Sequence, residues 1–420
     1  MESSLLNSSD LNSSERIGLK HTRIRRRGFL KAVGSAAVGA SLLVTHNASS
    51  REKKDHLLDA CVPSGIKLPG KLGDPNQNLL SDGRLDPRIF EALSVLPNTP
   101  TSRPPPALTL SSSYEDCLTW VGYMEEFLEY QHPQQIDTMP LFPDVSSYQE
   151  TITGFDQNKI KLYIDKPKKL NARLPSIVHI HGGGMCFSSA NSPLTQRWRK
   201  SLARRGALVI GVEFRNSGGK LGNYPFPSGL NDCASAVRWA YKNRSALDVS
   251  HVVVLGESGG GNLAIATGIK AMHEGWSDAI SGVYAMAPMI LGVYEEAPNS
   301  LMSWRENLGY QGNVEMMRAM TLVYDPELKH ESAATAWPFN AKMTDLRGLP
   351  PHMIVNYELD LIRDDGAVFC RKLQASGVSA TSRMIYGAHH VPEIAMPDVI
   401  PELTRDTISS ISAFTSGVGG

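Results

Sequence analysis

The chain has 420 residues, and its 42 Lys and Arg balance its 42 Asp and Glu. No global field is left to favour nucleic acid or an acidic surface, and the length holds one large domain with an ample core plus a smaller addition. The five cysteines, Cys61, Cys117, Cys186, Cys233 and Cys370, are scattered; they form neither a disulfide framework nor a C-x-x-C metal spacing, and they read as mostly core thiols.

Residues 1–50 differ in kind from the rest. Arg16, Lys20, Arg23, Arg25, Arg26, Arg27 and Lys31 lead into thirteen uncharged residues, 32–44. That is a basic region followed by an apolar stretch too short to span a bilayer comfortably. The junction Arg26-Arg27-Gly28-Phe29-Leu30-Lys31 resembles a twin-arginine export signal. This resemblance implies the twin-arginine machinery as a partner and passage of the folded protein across the bacterial cytoplasmic membrane, to the periplasm or beyond. A basic arm for membrane or nucleic acid is the alternative. Ala48 and Ser50 offer small residues for cleavage, and an uncleaved leader would tether the protein. Removing residues 1–50, with seven basic and three acidic side chains, would leave 35 basic against 39 acidic.

Residues 51–147 read as a linker followed by cap helices. Residues 51–110 are rich in Pro, Gly and Asp, and only 85–96 looks helical, entered at Asp86-Pro87. The Pro104-Pro105-Pro106 run is stiff. Over residues 113–130 an amphipathic helix carries Leu118, Val121, Met124, Phe127 and Leu128 on one side, a stripe more often core than binding site and taken here as part of a cap.

From residue 148 the periodicity changes to strands. Residues 149–154 and 159–164, separated by Asp156-Gln157-Asn158, read as a hairpin. Apolar runs follow at 177–181, 207–213, 251–255, 282–287, 352–356 and 381–386, with helical patterns over 196–205, 232–243, 262–274 and 366–376 between most of them. Such alternation implies an α/β protein with a mostly parallel sheet covered on both faces.

Two turns in this pattern carry chemistry. After the run at 177–180 come His181, Gly182, Gly183 and Gly184, whose bare backbone N–H groups can face a developing negative charge. Preorganised donors of this kind are worth about 2.7–4 kcal/mol each. After the run at 252–255 comes Gly256-Glu257-Ser258-Gly259-Gly260, followed at once by a helical pattern. Strand, turn and helix in that order are the setting of a nucleophile elbow, where Ser258 takes a strained backbone and the flanking glycines remove side chains that would collide. In a chain with 36 glycines a lone G-x-S-x-G is weak, and its bland reading is a helix-capping serine; the HGGG turn upstream decides for chemistry. Between 288 and 349 the alternation breaks, so the core is divided into 148–287 and 350–420 by an insertion at the carboxyl edge, the second half of the cap. Its Trp304, Met316, Met317 and Met320, with Met185 and Phe187, are expected to wall an apolar cleft.

A serine hydroxyl is a poor nucleophile near neutral pH, so a base must take its proton and a carboxylate must orient that base. After the run at 352–356 the acids are Glu358, Asp360, Asp364 and Asp365, the last two suited to capping a helix near residue 366. After the last strand, His389 and His390 are both available, and one of them can instead bond locally. His181 reads as a residue shaping its own loop.

Taken together, HGGG at 181–184, GESGGGN at 256–262, YPFPSGLNDC at 224–233 and ELDLIRDDG at 358–366 resemble the hormone-sensitive-lipase-like branch of the α/β-hydrolases, over roughly residues 80–415. The chain departs from that pattern at Glu257, where Asp is usual, at Gly259, where Ala is usual, and at Asn216-Ser217-Gly218-Gly219, where Leu-Ala-Pro-Glu is usual. The resemblance implies an α/β-hydrolase fold with a helical cap, and a serine carboxylic-ester hydrolase working through an acyl-enzyme on small esters of short to medium acyl length. It selects Ser258 as nucleophile, Asp360 as acid and, by its Gly-x-x-His spacing, His390 as base, with the N–H groups of Gly183, Gly184 and Gly259 as oxyanion hole. No metal or cofactor is implied. A non-catalytic small-ligand binder on the same scaffold, and an amidase or peptidase using the same triad, are the other readings.

Overall fold

The computed structural model describes residues 67–95, 105–169 and 173–419; the leader at 1–50 and Pro104 lie outside them. Among the described residues there are eight strands: β1 (Val145–Thr153), β2 (Lys159–Pro167), β3 (Leu174–Ile180), β4 (Leu208–Glu213), β5 (Val249–Glu257), β6 (Gly282–Met286), β7 (His352–Tyr357) and β8 (Ala380–Ile385). They form one sheet in the order β1-β2-β4-β3-β5-β6-β7-β8. The β1–β2 hairpin and the β2–β4 pair are antiparallel, and every later pairing is parallel. The α/β class expected from the alternation is the one observed. Val252, Val253, Val254 and Leu255 of β5 are wholly buried, as a strand covered on both faces requires.

Eight helices of two turns or more lie among the described residues: α1 (Pro87–Ser94), α2 (Tyr114–Tyr130), α3 (Pro193–Ala203), α4 (Ser228–Lys242), α5 (Gly259–His273), α6 (Val314–Tyr324), α7 (Arg363–Ala375) and α8 (Pro401–Gly417). Their starts follow capping chemistry. Ser113 and Asp116 form a reciprocal capping box on α2, and the Ser192 side chain caps α3 ahead of Pro193. A charge pair inside the core fixes α3 on the sheet: Arg199 Nε donates to Asp165 Oδ2 at 2.8 Å, with both side chains buried.

The strand order places the site. From β3 the chain moves to β4 on one side, then returns to β5 on the other side of β3, so the loops leaving β3 and β5 diverge at a topological switch point. In open α/β sheets the crevice at the carboxyl ends of such strands is where ligands bind. The loop after β3 is the HGGG turn and the loop after β5 holds Ser258. Above this edge α2 and α6 pack on each other as a roof. Other parts of the 288–349 insertion descend to the flank of α5, where buried Asn262 Nδ2 donates to the carbonyls of Met289 and Ala336 at 2.8 and 3.0 Å.

Candidate active site

β5 ends at Glu257 and α5 begins at Gly259, so Ser258 alone turns strand into helix, at φ 55° and ψ −122°. A non-glycine residue in that region stores strain of about 1–3 kcal/mol and persists only where its surroundings over-determine it. They do: Ser258 N donates to Met286 O at 2.8 Å, and Ser258 O accepts from Asn262 N and Met289 N, both at 3.1 Å. The flanking glycines serve close approach. A Cβ on Gly260 would fall 2.0 Å from Ile180 O, and one on Gly256 2.1 Å from Gly260 O.

The loop after β3 reverses through Gly183 and Gly184, at φ 109° and 60°, a region open to glycine at no steric cost. Glu257 ties this loop to the elbow. Its Oε1 accepts from Gly182 N at 3.0 Å, and its Oε2 pairs with His179 Nε2 at 2.9 Å. Burial works to raise the Glu257 pKa, but His179 and these bonds outweigh it and hold the carboxyl below its ordinary range. His181 stacks on Phe214, with ring centres 4.4 Å apart, and its Nδ1 reaches Gly182 O at 2.8 Å. Burial pushes its pKa down, in keeping with a loop-shaping role.

Gly182 N is thus occupied, whereas the N–H groups of Gly183 and Gly184 donate to nothing among the described residues. Gly259 N is the first N–H of α5 and has no helical partner. Elbow and loop are in backbone contact: a Cβ on Gly259 would lie 2.5 Å from Met185 N and 2.8 Å from Gly184 Cα, and one on Gly182 would lie 3.4 Å from Ser258 Cβ. The three free N–H groups therefore share one small neighbourhood beside Ser258, at the positive end of α5.

The loops after β7 and β8 supply the acid and the histidine. Asp360 Oδ2 pairs with His390 Nδ1 at 2.7 Å, while Asp360 Oδ1 accepts from Ile362 N at 3.1 Å. Burial works to lower the His390 pKa, but the charge and hydrogen bond of Asp360 outweigh it and leave the imidazole above its ordinary value. His389 is turned away: it is buried, its Nδ1 meets His390 O at 3.3 Å, and burial with the neighbouring His390 pushes its pKa down to about 4. Glu358 is bonded elsewhere, its Oε2 accepting from Gly387 N at 2.8 Å.

Asp364 and Asp365 do not cap a helix near residue 366. α7 begins at Arg363, and the two carboxylates join its first turn to the short helix Ser303–Glu306, accepting from Ser303 N at 2.8 Å and Trp304 Nε1 at 3.3 Å. The acid loop is supported from this segment. Asn307 Nδ2 donates to the carbonyls of Glu358 and Asp360, both at 2.9 Å, and Gln311 Oε1 accepts from His390 N at 3.0 Å.

Ser258, Asp360, His390 and the glycine loop all line one cleft of about 230 Å³. Its roof is Trp120, Met124 and Leu128 of α2, one helical stripe at i, i+4 and i+8, facing Met316, Met317 and Met320 of α6. Phe187 lines it as expected from the sequence, but Trp304 and Met185 do not. A buried indole N–H needs an acceptor; that of Trp304 finds Asp365, and the ring packs on Tyr294 with centres 4.8 Å apart. Met185, at φ 63°, is turned into the core. Trp120, Gln311, Leu194 and Ala395 line the cleft without having been singled out from the sequence. Of these, Trp120 alone carried a signal, its helical spacing to Met124 and Leu128. Among the described residues no group of His, Cys, Asp and Glu is placed to hold a metal, and all four described cysteines are free and buried.

Comparison with known proteins gives a consistent picture. Residues 177–393 match a family model described as alpha/beta hydrolase fold. The chain is 30% identical over 257 residues to carboxylesterase NlhH of Mycobacterium tuberculosis, covering 59% of this chain and 75% of that relative. A solved brefeldin A esterase, described as a bacterial homologue of human hormone sensitive lipase, superposes with a TM-score of 0.78 at 36% identity, covering 84% of this chain and 99% of that one. Gibberellin receptor GID1B of Arabidopsis thaliana is 24% identical over 273 residues, covering 61% of this chain and 74% of that relative.

Proposed function

The chain belongs to the α/β-hydrolase family whose model spans its residues 177–393, and from that premise we propose that it hydrolyses carboxylic esters as a serine hydrolase, with Ser258 as nucleophile, His390 as base and Asp360 as the acid that orients it. The supporting observation is that the His390–Asp360 pair opens into the same cleft as the strained serine. Asp360 holds Nδ1, so Nε2 of His390 is left to take the Ser258 proton as Oγ attacks the ester carbonyl. The oxygen that becomes negative is received by the N–H groups of Gly183, Gly184 and Gly259, each worth about 2.7–4 kcal/mol in such a site. His390 Nε2 then protonates the leaving alcohol. Water, deprotonated by the same nitrogen, attacks the acyl-enzyme and releases the acid.

The walls are thioether, aromatic and aliphatic, which suits esters with apolar acyl chains, and the roof limits them to short or medium length. Similarity to a hormone receptor favours one competing reading, a binding protein on this scaffold. Turnover of p-nitrophenyl butyrate by the purified full chain, together with its inhibition by a serine-directed phosphonate, separates the two. A binder gives neither. We propose in addition that residues 1–50 direct export; fused to a folded reporter they should carry it out of the bacterial cytosol, and retention in a host with a working twin-arginine system overturns this.

A further inference from the structure

Where the cleft ends, a second and smaller cavity begins. The cleft that holds Ser258 and His390 shares two lining residues, Leu194 and Ala395, with a neighbouring cavity of about 30 Å³. Leu194 stands in the first turn of α3, behind the Ser192 cap and Pro193. Ala395 closes the short helix Pro392–Ala395, which opens two residues after His390. Beyond this partition Pro193, Met396, Pro397 and Val399 give the small cavity apolar walls, and Gln135 and Thr138 add polar ones. At its rim Arg197 donates to Asp398 from its two terminal guanidinium nitrogens, at 2.6 and 2.9 Å, so these charges satisfy each other. One isobutyl group and one methyl group separate the two spaces, and both residues are only half-buried.

Their position selects one half of an ester. In the mechanism above the leaving oxygen receives its proton from His390, so the alcohol departs on the His390 side of the serine. Val391, Ile394 and Ala395, in the stretch that follows His390, line the cleft, whereas Met320 packs against Gly184 of the glycine loop. We propose that Leu194 and Ala395 form the end wall of a subsite for the leaving alcohol, that the small cavity behind them is its latent extension, and that the leaving groups taken are compact unbranched alcohols whose tails stop at this wall. The inference rests on the Ser258 and His390 reading of the site. A methylene that finds apolar space gains about fourfold in kcat/KM, while one that meets a packed wall gains nothing or loses. Leu194→Ala removes three carbons from the partition and joins the two spaces; Ala395→Leu adds three on the facing side.

The test measures kcat/KM of the full chain, by proton release, for the acetate esters of ethanol, butanol, hexanol and octanol. A parallel series holds the alcohol at ethanol and lengthens the acid. In the unaltered protein efficiency should fall beyond butyl or hexyl acetate. Leu194→Ala should raise the octyl-to-butyl ratio about tenfold, the worth of one to two buried methylenes, and Ala395→Leu should lower the hexyl-to-ethyl ratio by a similar factor. Because the two variants act in opposite directions, misfolding of one still leaves the other to decide. Turnover with both alcohol ratios unmoved overturns the inference alone, as does a shift confined to the acid series, which would give the cavity to the acyl half. If the unaltered protein hydrolyses no ester, the site reading falls and this inference with it.

Discussion

Replacing Asp360 by Asn keeps the shape of the side chain and removes its charge from the 2.7 Å contact with His390 Nδ1. The other oxygen decides how the amide sits. Asp360 Oδ1 accepts from Ile362 N at 3.1 Å, so the amide oxygen stays with that buried donor and the NH₂ group faces His390. A donor opposite Nδ1 forces the imidazole proton onto Nε2, the atom that has to be free to receive the Ser258 proton. A wrong tautomer of this kind costs about 10⁴-fold in kcat, or about 5.4 kcal/mol of transition-state stabilisation. The residual activity should also change its pH dependence. In the unaltered protein Asp360 holds the His390 pKa above its ordinary 6.5 against burial, so the neutral base appears only above that value and the acid limb of kcat/KM lies above it. Without the carboxylate its charge and hydrogen bond are lost, only the smaller influences of Glu393 and Glu257 still oppose burial, and the limb should move to lower pH. The assay is kcat/KM for p-nitrophenyl acetate from about pH 5 to pH 9, with circular dichroism to establish that the variant is folded. A loss below about tenfold, or an acid limb that stays in place, would show that Asp360 does not set the tautomer and charge of His390.

The paired histidines should part company. His390→Ala is expected to cost nearly as much as loss of the serine, since members of a catalytic unit fail together, whereas His389→Ala should cost far less, and the reverse ranking in kcat moves the base by one residue. Glu257→Ala strips the acceptor from Gly182 N and from His179; each buried donor left unpaired costs about 1–3 kcal/mol, so Tm should fall by several degrees and kcat by about a hundredfold as the glycine loop relaxes, and an unchanged kcat would sever that loop from catalysis. Across p-nitrophenyl esters kept below their micelle concentrations, kcat/KM should rise from acetate to about butyrate or hexanoate and then fall, as the gain of about 0.8 kcal/mol per methylene runs out of pocket under α2 and α6. Steady improvement through palmitate would show a true lipase.

Much of the fold is legible in the sequence because its signals are local. Val252 to Leu255 running into Gly256 and Ser258, then an Ala-rich helix, states strand, turn and helix within some twenty residues. Alternation of buried strands with helices then requires the parallel sheet that sets the β3 and β5 loops side by side. Helix starts were less legible. The pattern places α3 at 196 and α4 at 232, but they begin at Pro193 and Ser228; for α3, Ser192-Pro193 is a start signal that apolar periodicity overlooks. What supports the candidate site is written in contacts between distant stretches. Asn307 under the Asp360 loop and Gln311 on His390 N are single polar residues with no pattern around them, meaningful only once the insertion folds over the sheet edge. Trp304 illustrates the opposite error: an aromatic residue in a cap segment invites a place in the cleft wall, yet its N–H is satisfied by Asp365 in the core. Glu257 has a physical account after the fact, since one carboxylate side chain reaches both Gly182 N and His179.

Ser258 is the residue proposed to carry the acyl group, and a covalent adduct mapped along the chain shows whether it does. The full chain is treated with a fluorophosphonate, or quenched in acid during turnover of p-nitrophenyl acetate, then digested and read by mass spectrometry. One adduct per chain is expected, on the peptide that contains Ser258, and Ser258→Ala should lose both the adduct and several orders of magnitude in kcat while remaining folded. An adduct on any other residue, or hydrolysis that survives in Ser258→Ala, contradicts this role.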